Sequence, residues 1–165
     1  METPGSDLWE FRNRNVFGAT AFSTYGAFWI GLGLYGLLAE GASANPLNDL
    51  GYILLAFAIF NTFMLIWSTR LSVAVFLVFL ALEATEIVLS IGFFSDTEIV
   101  VKAGGVIGVV TAAVAWYASA AGVLNGIAGR RIVPVGGPIW RERAPANTLG
   151  PELRLEHPSA RERVW

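Results

Sequence analysis

Cysteine is absent from this sequence, and histidine occurs once, as His157. Without cysteine the chain forms no disulfide and offers no thiolate for a metal, an iron–sulfur cluster or nucleophilic catalysis. A single histidine also makes imidazole catalysis a poor explanation of function. Charge is scarce as well, because charged residues make up 15% of the chain, hydrophobic residues make up 55%, and the mean hydropathy is +0.57. Too few polar side chains remain to cover a soluble globule, so the composition predicts a protein surrounded by lipid.

Four long apolar runs carry this hydrophobicity, at residues 15–39, 50–69, 71–95 and 103–129. Each has about the 20 or more residues that an α-helix needs to cross a bilayer core. Membrane-spanning β-strands are about 10 residues long and alternate in polarity, which these runs do not. A soluble bundle of buried helices is the other alternative, and four consecutive segments that are apolar on all sides disfavour it. We therefore predict an all-α fold, an integral membrane helical bundle with four transmembrane helices.

The regions outside the four runs are polar. Residues 1–14 are a short lead, which lacks the basic start and cleavage site of a secretory signal, so we expect the first helix to be retained. Residues 15–136 are predicted to form the transmembrane domain. Residues 137–165 are rich in proline and arginine and are predicted to be a disordered tail.

Basic residues predict the orientation of the helices. The lead, the junction of the second and third runs, and the segment after the fourth run contain Arg12, Arg14, Arg70, Arg130, Arg131, Arg141 and Arg143. The loops at 40–49 and 96–102 contain one basic residue, Lys102. By the positive-inside rule, both termini are expected in the cytoplasm.

Two acidic residues interrupt the third run near its middle. Glu83 and Glu86 are three residues apart and share one face of a helix. A carboxyl group at this depth is costly and faces the protein interior or water. One interpretation is a proton-coupled pathway in which at least one carboxyl exchanges a proton. The other is that both bond to Thr, Ser or backbone groups of adjacent helices and hold the bundle together.

Small residues mark the packing faces of the fourth helix. Gly104 and Gly108 form one small-xxx-small pair, and Gly122 and Gly126 belong to a second. These pairs permit close packing within one subunit, which we favour, or form a seam between protomers. Asn125 lies beside Gly126 and has two open interpretations, a hydrogen bond across helices or a position facing a water-filled vestibule.

Other chemistries find little support in the sequence. The glycines of residues 31–33 and 104–105 lack the strand–turn–helix context of a phosphate-binding loop. Two glutamates without His or Cys companions make a weak metal site, so neither a metal nor a cofactor is expected. The tail lacks the charge density and aromatic interleaving of a nucleic-acid binder, and attraction to anionic lipid is the favoured use of its arginines. We find no cluster of polar catalytic groups at a membrane face and predict that the protein is not an enzyme.

Residues 15–29, NVFGATAFSTYGAFW, closely resemble the third transmembrane segment of the acetate uptake transporter family, small six-helix carriers of acetate and succinate. The similarity runs from about Leu8 to Gly136 and includes Gly51–Leu54, Leu89–Gly92 and Gly122–Asn125. It implies proton-linked uptake of small carboxylates by a helical bundle that assembles into a hexamer in the plasma membrane, here the bacterial inner membrane. It also implies that this chain corresponds to the last four helices. The first two helices, with their Asn-Pro-Ala-Pro-Leu-Gly-type motif, would then be missing through a start-site error or through a truncated or split gene, with another chain able to supply them. The alternative is a genuine four-helix relative.

The resemblance also implies roles for particular residues. The family's hydrophobic constriction combines a Phe of the first helix with a Tyr and a Leu that correspond to Tyr25 and Leu82. Thr20, Ser23 and Thr24 lie on the same turns as Tyr25, where they can bond a carboxylate or bond back to their own helix.

Uncharged residues occupy the positions of Glu83 and Glu86 in better-known members of the family. Glu86 follows Leu82 by four residues and is expected about one turn from the constriction, whereas Glu83 points roughly 100° away. Glu86 is therefore the preferred pathway and proton-coupling residue. The resulting prediction is a proton-coupled transporter or channel for small carboxylates, incomplete in this chain. The alternative is a non-transporting remnant or a structural subunit of an oligomeric membrane complex.

Overall fold

The computed structural model describes residues 15–38 and 44–140. Over these ranges the regular structure consists of four helices and no strand: α1 Val16–Leu38, α2 Pro46–Ser68, α3 Val73–Phe94 and α4 Glu98–Ala128. All four are long and apolar enough to cross a membrane. The predicted all-α membrane bundle with four spanning helices is thus confirmed. The predicted lead at 1–14, and the tail from residue 141 onward, lie outside the described residues.

Two helices begin earlier than their apolar runs. α2 begins at Pro46, four residues before the predicted start, because the Asn45 side chain accepts a hydrogen bond from the Asn48 N–H at 3.4 Å and proline suits the first turn. α4 begins at Glu98, five residues before its predicted start. There Glu98 forms an ion pair with Lys102 at 2.7 Å, one turn further along the helix. Polar residues that indicated loops therefore form the first turns of helices.

Helix α3 lies between α2 and α4 and packs along both. Small residues allow the close approach of these helices. A Cβ atom placed on Gly104 of α4 would lie 2.6 Å from Leu89 Cδ2 of α3. A Cβ atom on Gly51 of α2 would lie 2.7 Å from Cε1 of Phe94, at the end of α3. Glycine therefore sets the spacing on both sides of the central helix.

The two small-residue pairs of α4 differ in their surroundings. Gly104 and Gly108 face α3, and a Cβ atom on Gly108 would be 3.4 Å from Thr85 Cγ2. Gly122 and Gly126 are exposed, and a Cβ atom on either would meet nothing within 4 Å. Packing within one chain therefore accounts for the first pair and leaves the second uncovered.

Buried hydroxyl groups join the helices at two further points. The hydroxyls of Thr85 on α3 and Thr111 on α4 are 3.0 Å apart. Ser90 on α3 donates to the carbonyl oxygen of Gly51 on α2 at 3.0 Å. In an apolar environment such contacts satisfy polar groups that water cannot reach.

The chain turns back after α4 and packs against the connection between α2 and α3. Gly129 ends the helix with φ of 60°, a conformation that favours glycine. The N–H of Ala74 donates to the Val135 carbonyl at 2.9 Å, and the N–H groups of residues 139–140 donate to the Thr69 carbonyl at 2.8 and 3.0 Å. Residues 139 and 140 belong to the start of the predicted tail, whose disorder stays a prediction.

Candidate functional site

Aromatic side chains connect α1 to the rest of the bundle. Six rings from three helices form what we name the aromatic cluster: Phe17, Tyr25, Phe28, Phe57, Phe60 and Phe79. The Tyr25 ring lies near its middle, with centroids 5.9 Å from both Phe57 and Phe60 and 6.5 Å from Phe79. Tyr25 thus faces α2 and α3, and its neighbours form an apolar wall around it.

Asn61 lies beside this cluster and connects three helices. Its side chain is completely buried. Its Oδ1 atom accepts a hydrogen bond from the Tyr25 hydroxyl of α1 at 2.7 Å. Its Nδ2 atom donates to Glu83 Oε2 of α3 at 2.6 Å and to the Phe79 carbonyl at 2.9 Å. Asn61 was not among the predicted site residues, although an amide in the middle of an apolar run is a signal of a functional or packing role.

Glu83 is anchored to α2 through both carboxyl oxygens. Asn61 Nδ2 donates to Oε2 at 2.6 Å, and Thr62 Oγ1 donates to Oε1 at 2.8 Å. Of the two interpretations left open for this residue, bonding to an adjacent helix describes these contacts. Asn61 therefore connects Glu83 of α3 to Tyr25 of α1.

Glu86 is the more deeply buried of the two acidic residues, with 3% of its surface exposed. Its Oε2 atom is buried and has no hydrogen-bond partner among the described residues. The carboxyl groups of Glu86 and Glu83 interact electrostatically with the Tyr25 hydroxyl and with each other. Buried acceptors are normally satisfied, so this oxygen has capacity left to bind a proton or a hydrogen-bond donor. The described residues contain no group of three or more His, Cys, Asp or Glu placed to hold a metal ion.

The other candidates on α1 and α3 are less directly joined to this site. Thr20 and Ser23 each donate to the carbonyl oxygen four residues earlier in α1, at 2.8 and 2.7 Å. This is the back-bonding that the sequence analysis left as the alternative to a substrate contact. Thr24 and Leu82 are half-buried, on α1 and α3 respectively. The structure therefore groups Tyr25 with the two glutamates and directs the hydroxyls of Thr20 and Ser23 to their own helix.

Asn125 holds the segment that follows α4. Its Oδ1 atom accepts from the N–H groups of Ile132 and Val133 at 2.7 and 2.8 Å, and its Nδ2 atom donates to the Val133 carbonyl at 2.9 Å. These partners lie seven and eight residues later in the chain and take up the Asn125 amide. A role of Asn125 in the pathway stays a prediction.

The described residues form four apolar helices, and the buried Asn61 side chain joins three of them. This arrangement defines a multi-pass α-helical membrane protein. A sequence model of the GPR1/FUN34/yaaH family matches residues 6–134, and the chain belongs to this family. This confirms the resemblance seen in residues 15–29.

Named relatives and a solved structure are similar to this chain. Acetate permease A of Emericella nidulans is 36% identical over 145 residues, which are 78% of this chain and 49% of the permease. The succinate-acetate/proton symporter SatP of Escherichia coli K12 is 30% identical over 131 residues, 78% of this chain and 70% of SatP. A solved structure of the bacterial acetate channel SatP matches with a TM-score of 0.73 at 30% identity, covering 79% of this chain and 74% of that one. The chain spans about half the length of the fungal relatives, 49% for the permease and 44% for accumulation of dyads protein 2 of Saccharomyces cerevisiae.

Proposed function

We propose that this protein moves small carboxylates such as acetate or succinate across a membrane, coupled to protons. The observation that carries the proposal is a group of polar side chains beside the aromatic cluster, in which Asn61 and Glu86 are buried and Tyr25 and Glu83 are half-buried. Apolar rings exclude water and restrict width, while a few polar groups orient a small solute. The names of the permease and of the symporter support this substrate class.

Glu86 is the proposed proton-binding residue of this pathway. A fixed negative charge beside Tyr25 would repel a carboxylate, since like charges in a region of low dielectric repel strongly. Passage of an anion therefore requires the Glu86 carboxyl to carry a proton when the substrate passes. Both oxygens of Glu83 already accept hydrogen bonds, whereas Glu86 Oε2 has no partner among the described residues. The symporter name of the Escherichia coli relative supports proton coupling.

We place the protein in the plasma membrane, the bacterial inner membrane, with both termini in the cytoplasm. Arg70 in the α2–α3 connection and Arg130 and Arg131 after α4 lie toward the same end of the bundle, which the positive-inside rule assigns to the cytoplasm. We further propose a homo-oligomer, a hexamer by family resemblance. The uncovered pair Gly122 and Gly126 supports this, because glycines let helices of two copies approach closely.

Uptake of radiolabelled acetate and succinate into proteoliposomes tests the proposal. An inward proton gradient is expected to accelerate uptake by the wild-type chain above the rate of protein-free liposomes, which measures passive entry of acetic acid. Glu86→Gln is expected to lose the response to the gradient. Glu98→Gln is the matched control, because Glu98 lies exposed at the start of α4.

Two outcomes would contradict separate parts of the proposal. Uptake by the wild type that never exceeds the protein-free rate would overturn transport by this chain. Uptake by Glu86→Gln with an unchanged response to the gradient would overturn the assignment of Glu86 while leaving transport in place.

A further inference from the structure

We infer that Asn61 is a positioning residue that holds the Tyr25 ring in place and thereby sets the size of carboxylate that passes. The inference rests on the proposed function and assigns the control of size selectivity to a residue that accepts a hydrogen bond from the Tyr25 hydroxyl.

The hydrogen-bond directions fix the orientation of the Asn61 amide. An asparagine side chain has two N–H donors and one carbonyl acceptor. Both donors are used, by the Phe79 carbonyl at 2.9 Å and by Glu83 Oε2 at 2.6 Å. A reversed amide would set its carbonyl against these two acceptors. The Oδ1 atom must therefore face Tyr25, and Glu83 helps to keep it there.

The Tyr25 hydroxyl is consequently committed to Asn61. A phenol has one proton to donate, and Oδ1 accepts it at 2.7 Å. Tyr25 then has no proton to offer a passing carboxylate, so it acts through the place and tilt of its ring. Phe57 and Phe60 contact the ring in tilted and edge geometries, with interplanar angles of 47° and 64°. Such contacts are weakly directional, whereas a hydrogen bond to a completely buried amide fixes the hydroxyl end.

Burial makes this arrangement rigid. Asn61 has no exposed surface, so water does not compete for its hydrogen bonds. Loss of the amide leaves the Tyr25 hydroxyl without its acceptor and lets the ring move. Loss of the hydroxyl alone, in Tyr25→Phe, releases the ring in the same way. Because both changes break the hydrogen bond between Tyr25 and Asn61, their effects on selectivity are expected to be non-additive.

The transport test is a double-mutant cycle in proteoliposomes, with uptake of butyrate and acetate measured side by side. Asn61→Ala and Tyr25→Phe are each expected to raise the butyrate-to-acetate ratio about fivefold, the factor that corresponds to one net hydrogen bond. The double variant is expected to match the single ones. Thr111→Val is the matched control, since it removes a buried hydroxyl pair between α3 and α4 outside the aromatic cluster. A butyrate-to-acetate ratio that rises in the double variant by the product of the two single effects would overturn the inference.

A second measurement does not depend on transport. Solid-state NMR of the chain in bilayers, with 13C at the tyrosine Cζ, reports the hydrogen bond of each phenol, and Tyr25→Phe assigns the Tyr25 signal. Asn61→Ala is expected to shift that signal, and Thr111→Val is expected to leave it unchanged. An unshifted signal in folded Asn61→Ala would overturn the positioning role. If the wild type shows no uptake, the proposed function fails, while the NMR shift still decides whether Asn61 holds Tyr25.

Discussion

Replacement of Gly104 by alanine tests the packing of α4 on α3. A Cβ atom there would lie 2.6 and 2.7 Å from Cδ2 and Cγ of Leu89 and 3.2 Å from its backbone nitrogen. A methyl group does not fit at these distances, so the helices must separate or Leu89 must leave its rotamer. Such overpacking costs about 1–3 kcal/mol. The adjacent Gly105 is the matched control, because a Cβ atom there meets nothing within 4 Å.

Comparison of the two variants isolates the packing cost. Both replace a helical glycine by alanine, so each gains the same intrinsic helix propensity, about 1 kcal/mol, and this gain cancels in the difference. Gly104→Ala is therefore expected to be less stable than Gly105→Ala by about 1–3 kcal/mol. The measurement is equilibrium unfolding in mixed micelles with increasing dodecyl sulfate, followed by helical circular dichroism. Equal stability of the two variants, or greater stability of Gly104→Ala, would refute the packing argument.

Three further predictions concern the C-terminal segment and the uncovered face of α4. Gly136 has φ of 71°, and an added Cβ atom would lie 2.6 Å from Val73 Cβ. Gly136→Ala is therefore expected to lower the free energy of unfolding by about 2–4 kcal/mol and to speed hydrogen exchange at the Ala74 amide. Unchanged exchange would count against this contact. Asn125→Ala removes three hydrogen bonds to residues 132–133 and is expected to destabilise that segment by about 1–3 kcal/mol. Substrate selectivity is expected to stay unchanged, and altered selectivity would indicate that Asn125 lines the pathway. Gly122→Leu is expected to leave the helical fold intact and to dissociate the oligomer. Size-exclusion chromatography with light scattering measures the oligomeric mass, and an unchanged mass would exclude this face as the seam between protomers.

The positions of the helices were predictable from local hydrophobicity, with errors at polar ends. The runs at 50–69 and 103–129 correspond to α2 and α4, yet both helices begin earlier. The missed turns contain Pro46 and Glu98, residues that suit the start of a helix as well as a loop. Hydropathy measures the free energy of transfer into lipid and does not report backbone hydrogen bonds at the membrane edge.

The candidate site was only partly predictable. Glu83 and Glu86 stand out because carboxyl groups are rare within apolar runs. The role of Asn61 was not predictable, because its partners Tyr25 and Glu83 lie 36 and 22 residues away in the chain. The hydrogen bonds of Asn125 were not predicted either, since its partners lie seven and eight residues later, in a turn that hydropathy does not reveal.

Sequence alone predicted four membrane-spanning helices, because membrane insertion depends on the summed hydrophobicity of each segment. It also predicted the family, because residues 15–29 are distinctive. Only the tertiary structure decided which polar groups meet. It separated Gly104, packed against Leu89, from Gly122, where an added Cβ atom would meet nothing within 4 Å, although both belong to the same small-residue pattern. It also set Asn61 between Tyr25 and Glu83. These contacts follow from how helices cross and rotate against one another, which no single segment encodes.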